Sequence, residues 1–493
     1  MRKKQTAAII GGGLSGLATA ALLAKKGYIV SVFEKNAELG GRARVLKKKG
    51  FTFDMGPSWY MMPEVIELLF SQLGKKTKQY YSLVELKKKY RIFGDTHEPI
   101  TFHSDSEKND RLFANQFSRD HKGIKKLLQK TNKAYSLIVS TLLRRPYTSI
   151  LSFLHPLTIV AGVRLLALFN PFQTYHSFIK RHVSNPLLQK VFEFHTVFLG
   201  GNPQNTPALY SLLIAADFQQ KIWYPLGGVG QLVYALHAIC VSLGVHIYTN
   251  APVSKIRVNK NRVENLEINN ALHSFDLVVS SADYAYTDSH LLPAGYEEYS
   301  PEYWKSRDYA ISSVLVYLGV AKKMKKVIHH NFYFQSDWNE HFKTIQESSE
   351  YPKNPCFYLS APSKTDITVA PKGMENMFLL IPVSIQTKTT KVEEYVDSVL
   401  HFVEEKIGES FIDKIVYKKI YAQTDFKNDY NAYKGNGLGI AHSLKQSVFM
   451  RPRMRSKKLR NLYYVGQYVQ PGIGVPMVLL SALYLVNHLL RKK

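Results

Sequence analysis

Gly11, Gly13 and Gly16 fall in the run Gly-Gly-Gly-Leu-Ser-Gly, between an apolar stretch, Thr6 to Ile10, and an Ala- and Leu-rich one, Leu14 to Lys25. This spacing suits a backbone that must approach a pyrophosphate: Gly11 permits a tight turn, Gly13 admits the phosphates, and Gly16 lets a helix pack closely on a strand. Ser15 lies in the same turn and joins the candidate binding residues. The free N–H groups and dipole at the start of the following helix favour negative charge there. Gly27 ends that helix, Ile29 to Phe33 reads as a second buried strand, and Glu34 follows where a carboxylate accepts hydrogen bonds from ribose hydroxyls. Glu34 also repels a 2′-phosphate, so NADP is disfavoured at this site.

A second glycine pair, Leu39-Gly40-Gly41-Arg42, is followed by Gly50, Asp54 and Gly56-Pro57-Ser58. Gly41 lets another loop close over the pyrophosphate. Arg42 either offers its fork of donors to phosphate oxygens or makes a surface ion pair. At the other end of the chain, Asn461 to Val465 reads as a strand running into Gly466-Gln467, then Pro471-Gly472-Ile473-Gly474-Val475-Pro476-Met477. Pro476 suits a first helical turn because its missing N–H has no intrahelical partner to lose. The apolar stretch that follows to Leu490 is short for a membrane span and carries Asn487 and His488, so a buried helix is expected.

These segments need a strand-helix-strand frame. Further parts are read in the helix-like run from Gly230 to Leu243, in strands near residues 244–249 and 253–258, and in the buried strand Asp276 to Asp283. Ser312 to Val320 and Met377 to Pro382 read as strands of another sheet, while residues 111–225 are mostly helical. With 493 residues the chain should divide into two or three substructures. Cys240 and Cys356 lie far apart and in no metal-binding pattern, so neither a disulfide framework nor a metal site is expected, and a reducing cytoplasm fits. The basic, apolar start Met1 to Val30 imitates a secretory leader, but its glycines hold nucleotide-binding spacing.

Lys and Arg number 65 against 38 Asp and Glu, a net charge of +27. No nucleic-acid-binding module accompanies this charge, so its expected partner is an anionic membrane surface, with a simply solvated surface as the alternative. Leu151 to Phe172 is apolar but interrupted by His155-Pro156 and Arg164, and Arg144, Arg145 and Lys180 to His182 flank it. Two readings stand: monotopic attachment, with apolar groups in lipid and cations at the headgroups, or a buried helical hairpin. Attachment places the protein in the cytoplasm on the inner face of the cell membrane.

The glycine pattern through Gly56-Pro57 resembles the FAD enzymes of the amine oxidase and phytoene desaturase superfamily. More narrowly, Phe51 to Pro57 with Met61-Met62-Pro63, the central Phe194-His195-Thr196, Gly200 to Pro203, Pro207-Ala208, Tyr210 and Trp223 to Gly230, and the C-terminal Pro471 to Ala482 resemble bacterial phytoene and diapophytoene desaturases. The family commonly has Thr-His before its C-terminal Pro-Gly; this chain has Val469-Gln470. The resemblance implies an α/β fold. Its Rossmann-like FAD domain would be assembled from residues 1–75, 226–300 and 441–493. A substrate-binding sheet domain would take 76–110 and 301–440, and a helical membrane-facing subdomain 111–225.

It further implies noncovalent FAD, with backbone near Val253 at the adenine and Gly466 and Gly474 to Met477 at the flavin. The helix that follows would stabilise the negative charge gained on hydride transfer. The implied substrate is a long isoprenoid polyene, phytoene or 4,4'-diapophytoene. The alternatives are a carotenoid isomerase, a terminal-methyl oxidase, or a non-catalytic prenyl-lipid binder of the GDP-dissociation-inhibitor type. His195 and Asp217 are candidate catalytic groups by position, with a structural role as the other reading.

Overall fold

The computed structural model describes residues 4–94, 98–147, 150–335 and 337–490. Met1 to Lys3, the start of the leader-like segment, lie outside them. Thr6–Ile10 is a central strand with Ala7, Ala8 and Ile9 wholly buried, as an unbroken apolar run requires when both faces of a parallel sheet are covered. Its sheet has five parallel strands in the order Leu462–Tyr464, Leu277–Ser280, Thr6–Ile10, Ile29–Phe33, His246–Tyr248. The register sets Ala7 opposite Leu277 on one side and Val30 on the other. Segments from the start, middle and end of the chain are thereby joined in one layer.

The helix Leu14–Lys25 covers this sheet and packs against the C-terminal helix Val475–Leu490. The latter buries Leu479 to Val486 on all sides, which accounts for its nearly uniform apolar sequence. Among the described residues no helix is long and apolar enough to cross a membrane. A small antiparallel sheet, Val253–Asn259, Arg262–Ile268 and Ala271–His273, extends the central segment.

A second sheet has seven strands in the order Ile415–Tyr421, Ser312–Val320, Glu375–Val383, Phe357–Ser360, His330–Tyr333, Lys88–Phe93, Ile100–His103. Ser312–Val320 and Glu375–Val383 pair antiparallel with Val314 opposite Ile381. Alternation sorts their side chains: Val314, Val316, Leu318, Leu379 and Ile381 pack with the helix Val392–Ile407, while Leu315, Phe378 and Leu380 face a cavity.

The segment Leu151 to Phe172 forms a short turn, Ile150–Leu154, and the helix Pro156–Leu168. His155 caps that helix, its Nδ1 accepting the Leu157 N–H at 3.3 Å, and Pro156 takes the first helical position. Thr158, Ala161 and Leu165 point inward, whereas Leu157, Val160, Val163 and Leu166 are exposed. Leu151 and Phe172 are 74% and 87% exposed, so apolar surface runs past both helix ends.

Candidate functional site

A cavity of about 1000 Å³ runs from the first glycine turn to the inner face of Pro156–Leu168. Gly11, Gly13, Ser15, Glu34, Gly41, Arg42, Gly56, Pro57, Ser58, Val253, Gly474, Val475, Pro476 and Met477 all line it. Residues spread over the length of the chain are thus brought onto one surface. Gly16 and Gly466 stand behind the wall. A Cβ on Gly16 would lie 2.1 Å from the Gly11 carbonyl oxygen, so the helix reaches the strand only because none is there. Gly466 donates its N–H to Ser481 Oγ at 2.9 Å and backs onto Ser15.

The polar end of the cavity is held by few groups. Glu34 Oε2 accepts the Gly12 N–H at 2.8 Å, and Oε1 accepts the Asn36 N–H at 2.9 Å and its side-chain amide at 3.0 Å. These bonds compensate a carboxylate that is 5% exposed and fix it beside the glycine turn. Gly40 donates to the Gly12 carbonyl at 2.9 Å, bringing the second glycine loop against the first. A Cβ on Gly13 would meet nothing within 4 Å, so the turn faces into the cavity there. Arg42 donates from Nε to the Gly437 carbonyl at 2.9 Å and lies 5.2 Å from the Tyr430 ring centre, yet one of its terminal nitrogens is buried with no hydrogen-bond partner among the described residues. Open space at Gly13, an unpaired guanidinium nitrogen and a fixed carboxylate suit a dinucleotide's phosphates and ribose.

Asp54 ties this end to the central segment. Its carboxylate accepts the Val229 and Gly230 N–H groups at 2.8 and 2.9 Å, at the start of the helix Gln231–Ser242. Burial pushes its carboxyl up to about 6, although the two N–H donors act in the opposite direction.

The apolar end is made of aromatic and aliphatic side chains from separate segments: Trp59, Phe194, Leu315, Phe332, Phe378 and Leu380. Trp59 stacks on His330 with centroids 4.8 Å apart. The Tyr358 hydroxyl donates to Ser58 Oγ at 2.8 Å and lies 2.7 Å from His330 Nδ1, so the wall is pinned to the Gly56-Pro57-Ser58 turn. Burial holds the His330 imidazole well below the usual histidine range, leaving it neutral. Tyr147, Phe153, Thr158, Gly162 and Leu165 complete the cavity towards the exposed apolar helix.

His195 and Asp217 meet, but away from this surface. His195 Nε2 lies 3.1 Å from Asp217 Oδ2, which also accepts the Tyr90 hydroxyl at 2.7 Å, and Lys89 Nζ lies 3.5 Å from Oδ1. Lys89, His195 and Asp217 are all wholly buried, and none lines the cavity. Burial alone would raise the Asp217 carboxyl, but Lys89 and His195 hold it below the usual carboxylate range. The cluster braces the wall from behind: His195 stacks on Phe194 at 4.1 Å, and Tyr90 meets Trp59 at 5.7 Å.

Two lining groups had no role in the sequence reading. Tyr210 belongs to the matched central segment, whereas His442 sits in no local pattern. They meet through a 3.0 Å hydrogen bond that spans 232 positions. Among the described residues no group of histidine, cysteine and carboxylate side chains could hold a metal ion.

The flavin containing amine oxidoreductases match residues 14–490. A carotenoid 3,4-desaturase of Haloarcula japonica is 36% identical over 475 residues, covering 96% of this chain and 95% of the relative. A 4,4'-diapophytoene desaturase (4,4'-diaponeurosporene-forming) of Staphylococcus haemolyticus is 31% identical over 489 residues and covers 96% of each chain. An oxidoreductase from Methanosarcina mazei shares the fold with a TM-score of 0.65 at 19% identity, covering 98% of this chain and all of the other. The cofactor is FAD, as the glycine pattern implied. The chain belongs to the flavin containing amine oxidoreductase family.

Proposed function

We propose that this protein desaturates an acyclic carotenoid precursor, phytoene or 4,4'-diapophytoene, with FAD as the hydride acceptor. The observation that carries this reading is one cavity with two kinds of wall: glycine turns, Glu34 and Arg42 at one end, aromatic and aliphatic side chains at the other. FAD, when bound, supplies the two-electron acceptor for hydride leaving an allylic carbon. Gly11, Gly13, Ser15, Gly41 and Arg42 would hold its pyrophosphate, Glu34 its ribose, and the backbone at Val253 its adenine. Gly56 to Ser58 and Gly474 to Met477 would stand at its ring system, with Gly16 and Gly466 keeping the surrounding elements close.

The apolar wall orients the polyene and keeps water from the developing allylic charge. That charge is delocalised along the polyene, which lessens the need for a strong base, and no base is assigned. His195 and Asp217, the earlier catalytic candidates, serve this chemistry by bracing Phe194 and Trp59.

The polyene enters from a membrane. The exposed side chains of Leu151, Leu157, Val163 and Phe172 insert among lipid chains while flanking cations meet anionic headgroups, which holds the protein on the inner face of the cell membrane. The FAD domain, the substrate sheet and the helical membrane-facing part then correspond to the three groups of segments set out above. Expression in hosts that accumulate either phytoene or diapophytoene tests the reading by its products. A polyene with added conjugated double bonds is the expected outcome; a rearranged or terminally oxidised product at unchanged desaturation would replace it with isomerisation or methyl oxidation.

A further inference from the structure

Arg451 is a buried cation with no carboxylate paired to it among the described residues. It is 3% exposed, and its guanidinium spends its donors on backbone: Nε to the Tyr468 carbonyl at 3.2 Å, and one terminal nitrogen to the Gln467 and Ile440 carbonyls at 2.6 and 3.2 Å. The other terminal nitrogen has no hydrogen-bond partner among the described residues. A charge so placed ordinarily demands a counter-ion, because desolvation in a protein interior costs several kcal/mol per ion. Here the groups that act on it electrostatically are Tyr210, Tyr303 and Tyr468, and burial draws its pKa down only to about 10, so it stays charged at neutral pH.

Its position gives that charge a direction. A Cβ on Gly472 would lie 3.2 Å from Arg451 Cζ and 2.4 Å from His442 Cε1, and Gly472 has φ +129°, so this loop lies directly against the guanidinium and the imidazole. His442 Nε2 accepts the Ile473 N–H at 3.2 Å. Its Nδ1–H then donates to the Tyr210 oxygen at 3.0 Å, and the Tyr210 hydroxyl donates to Ser447 Oγ at 3.0 Å. The directions are consistent only for a neutral imidazole, and burial followed by the neighbouring Arg451 charge keeps it neutral. A neutral ring therefore fixes the loop while the positive charge stands behind it.

We propose that Arg451 is a positioning residue for charge: an uncompensated cation behind the Gly472 to Gly474 loop that favours the negative charge gained by FAD on reduction, with His442 and Tyr210 holding the loop in register. The inference rests on the reading that this loop faces the flavin. It adds to the helix N-terminus at Val475 a full charge acting through low-dielectric surroundings, where preorganised electrostatics are strongest.

The test is the two-electron midpoint potential of the FAD-loaded protein, which needs no polyene and so separates this inference from the desaturase reading. Arg451→Gln keeps donors for the backbone carbonyls and removes the charge; Arg451→Lys keeps the charge. The expected result is a clearly more negative potential in Arg451→Gln and a potential near that of the parent protein in Arg451→Lys. Equal potentials in all three proteins, or equal shifts in both variants, would overturn the proposal. Should either variant fail to fold, the parent protein supplies the measurement. Its potential should fall by about 30 mV per pH unit between pH 6 and 8, the value for one proton taken up with two electrons. Twice that slope means that the reduced cofactor is neutral and contradicts the proposal.

Discussion

The two ends of the cavity are built by different means. At the nucleotide end the contacts come from backbone at tight turns, and Glu34 and Arg42 are among the charged side chains that line it. At the apolar end almost nothing is backbone: Trp59, Phe194, Leu315, Phe332 and Phe378 converge from strands and turns far apart in the chain. A phosphate can be recognised by N–H groups that any sequence possesses once glycine clears the approach, whereas a hydrocarbon must be enclosed by side-chain volume. The first end should therefore fail through single glycines and the second through single aromatic rings.

The largest effect is expected at Gly13. Its Cβ position is empty space, so Gly13→Trp should fold but fill the cavity and abolish FAD binding; full flavin occupancy by absorbance would refute the assignment. Gly16 supplies the contrast. A methyl there collides with the Gly11 carbonyl, so Gly16→Ala should destabilise the protein by about 1–3 kcal/mol even without cofactor, read as a fall in Tm of the apoprotein.

Next comes the ring stacked on His330. Trp59→Ala should keep FAD but lower kcat/KM for the polyene by about a hundredfold, the scale expected when a reacting bond is no longer held in position. Parallel loss of FAD would mean that the two ends are not separable.

A smaller, external effect is expected at the mouth. Leu157→Glu with Val163→Glu should weaken binding to anionic liposomes by about a hundredfold or more, since each apolar side chain inserted into lipid contributes about 1.5–3 kcal/mol, and should leave FAD binding intact. High salt should weaken the parent protein's binding without eliminating it; flotation unchanged by the double substitution would remove this face from the account.

The smallest effect is a pH dependence. Asp54 has a folded pKa of about 6 against 3.8 for the free group, so its contribution to stability is complete below about pH 4 and is lost as pH rises through 6. This gives a ceiling of about 3 kcal/mol, less whatever the carboxylate regains by solvent penetration. Asp54→Asn should flatten stability between pH 4 and 6 as measured by denaturant unfolding, and an unchanged slope would place the dependence on other groups.

The same contrast explains what was legible in the sequence. Thr6–Ile10, Leu14–Lys25 and Ile29–Phe33 lie where apolar run, helix pattern and glycine spacing set them, because every signal is local. Ser312–Val320 was readable from its alternation, yet which of its faces bounds the cavity depends on the partner register of Leu315 with Leu380. Neighbourhood to a motif singles out His195 and Asp217, and they do pair, but no local pattern says that Lys89, 128 positions from Asp217, completes a buried cluster. His442 and Arg451 escaped for the same reason: their significance is their approach to Gly472, which only the fold creates.

The central claim is that the polyene held at the apolar end reduces the cofactor held at the polar end. Anaerobic mixing of the FAD-loaded, liposome-bound protein with phytoene or 4,4'-diapophytoene tests it in one cuvette. The account predicts that oxidised flavin absorption bleaches as absorption of a longer polyene appears, in the ratio of one double bond per cofactor. Flavin that stays oxidised with both substrates, at full occupancy and with membrane binding intact, would contradict it.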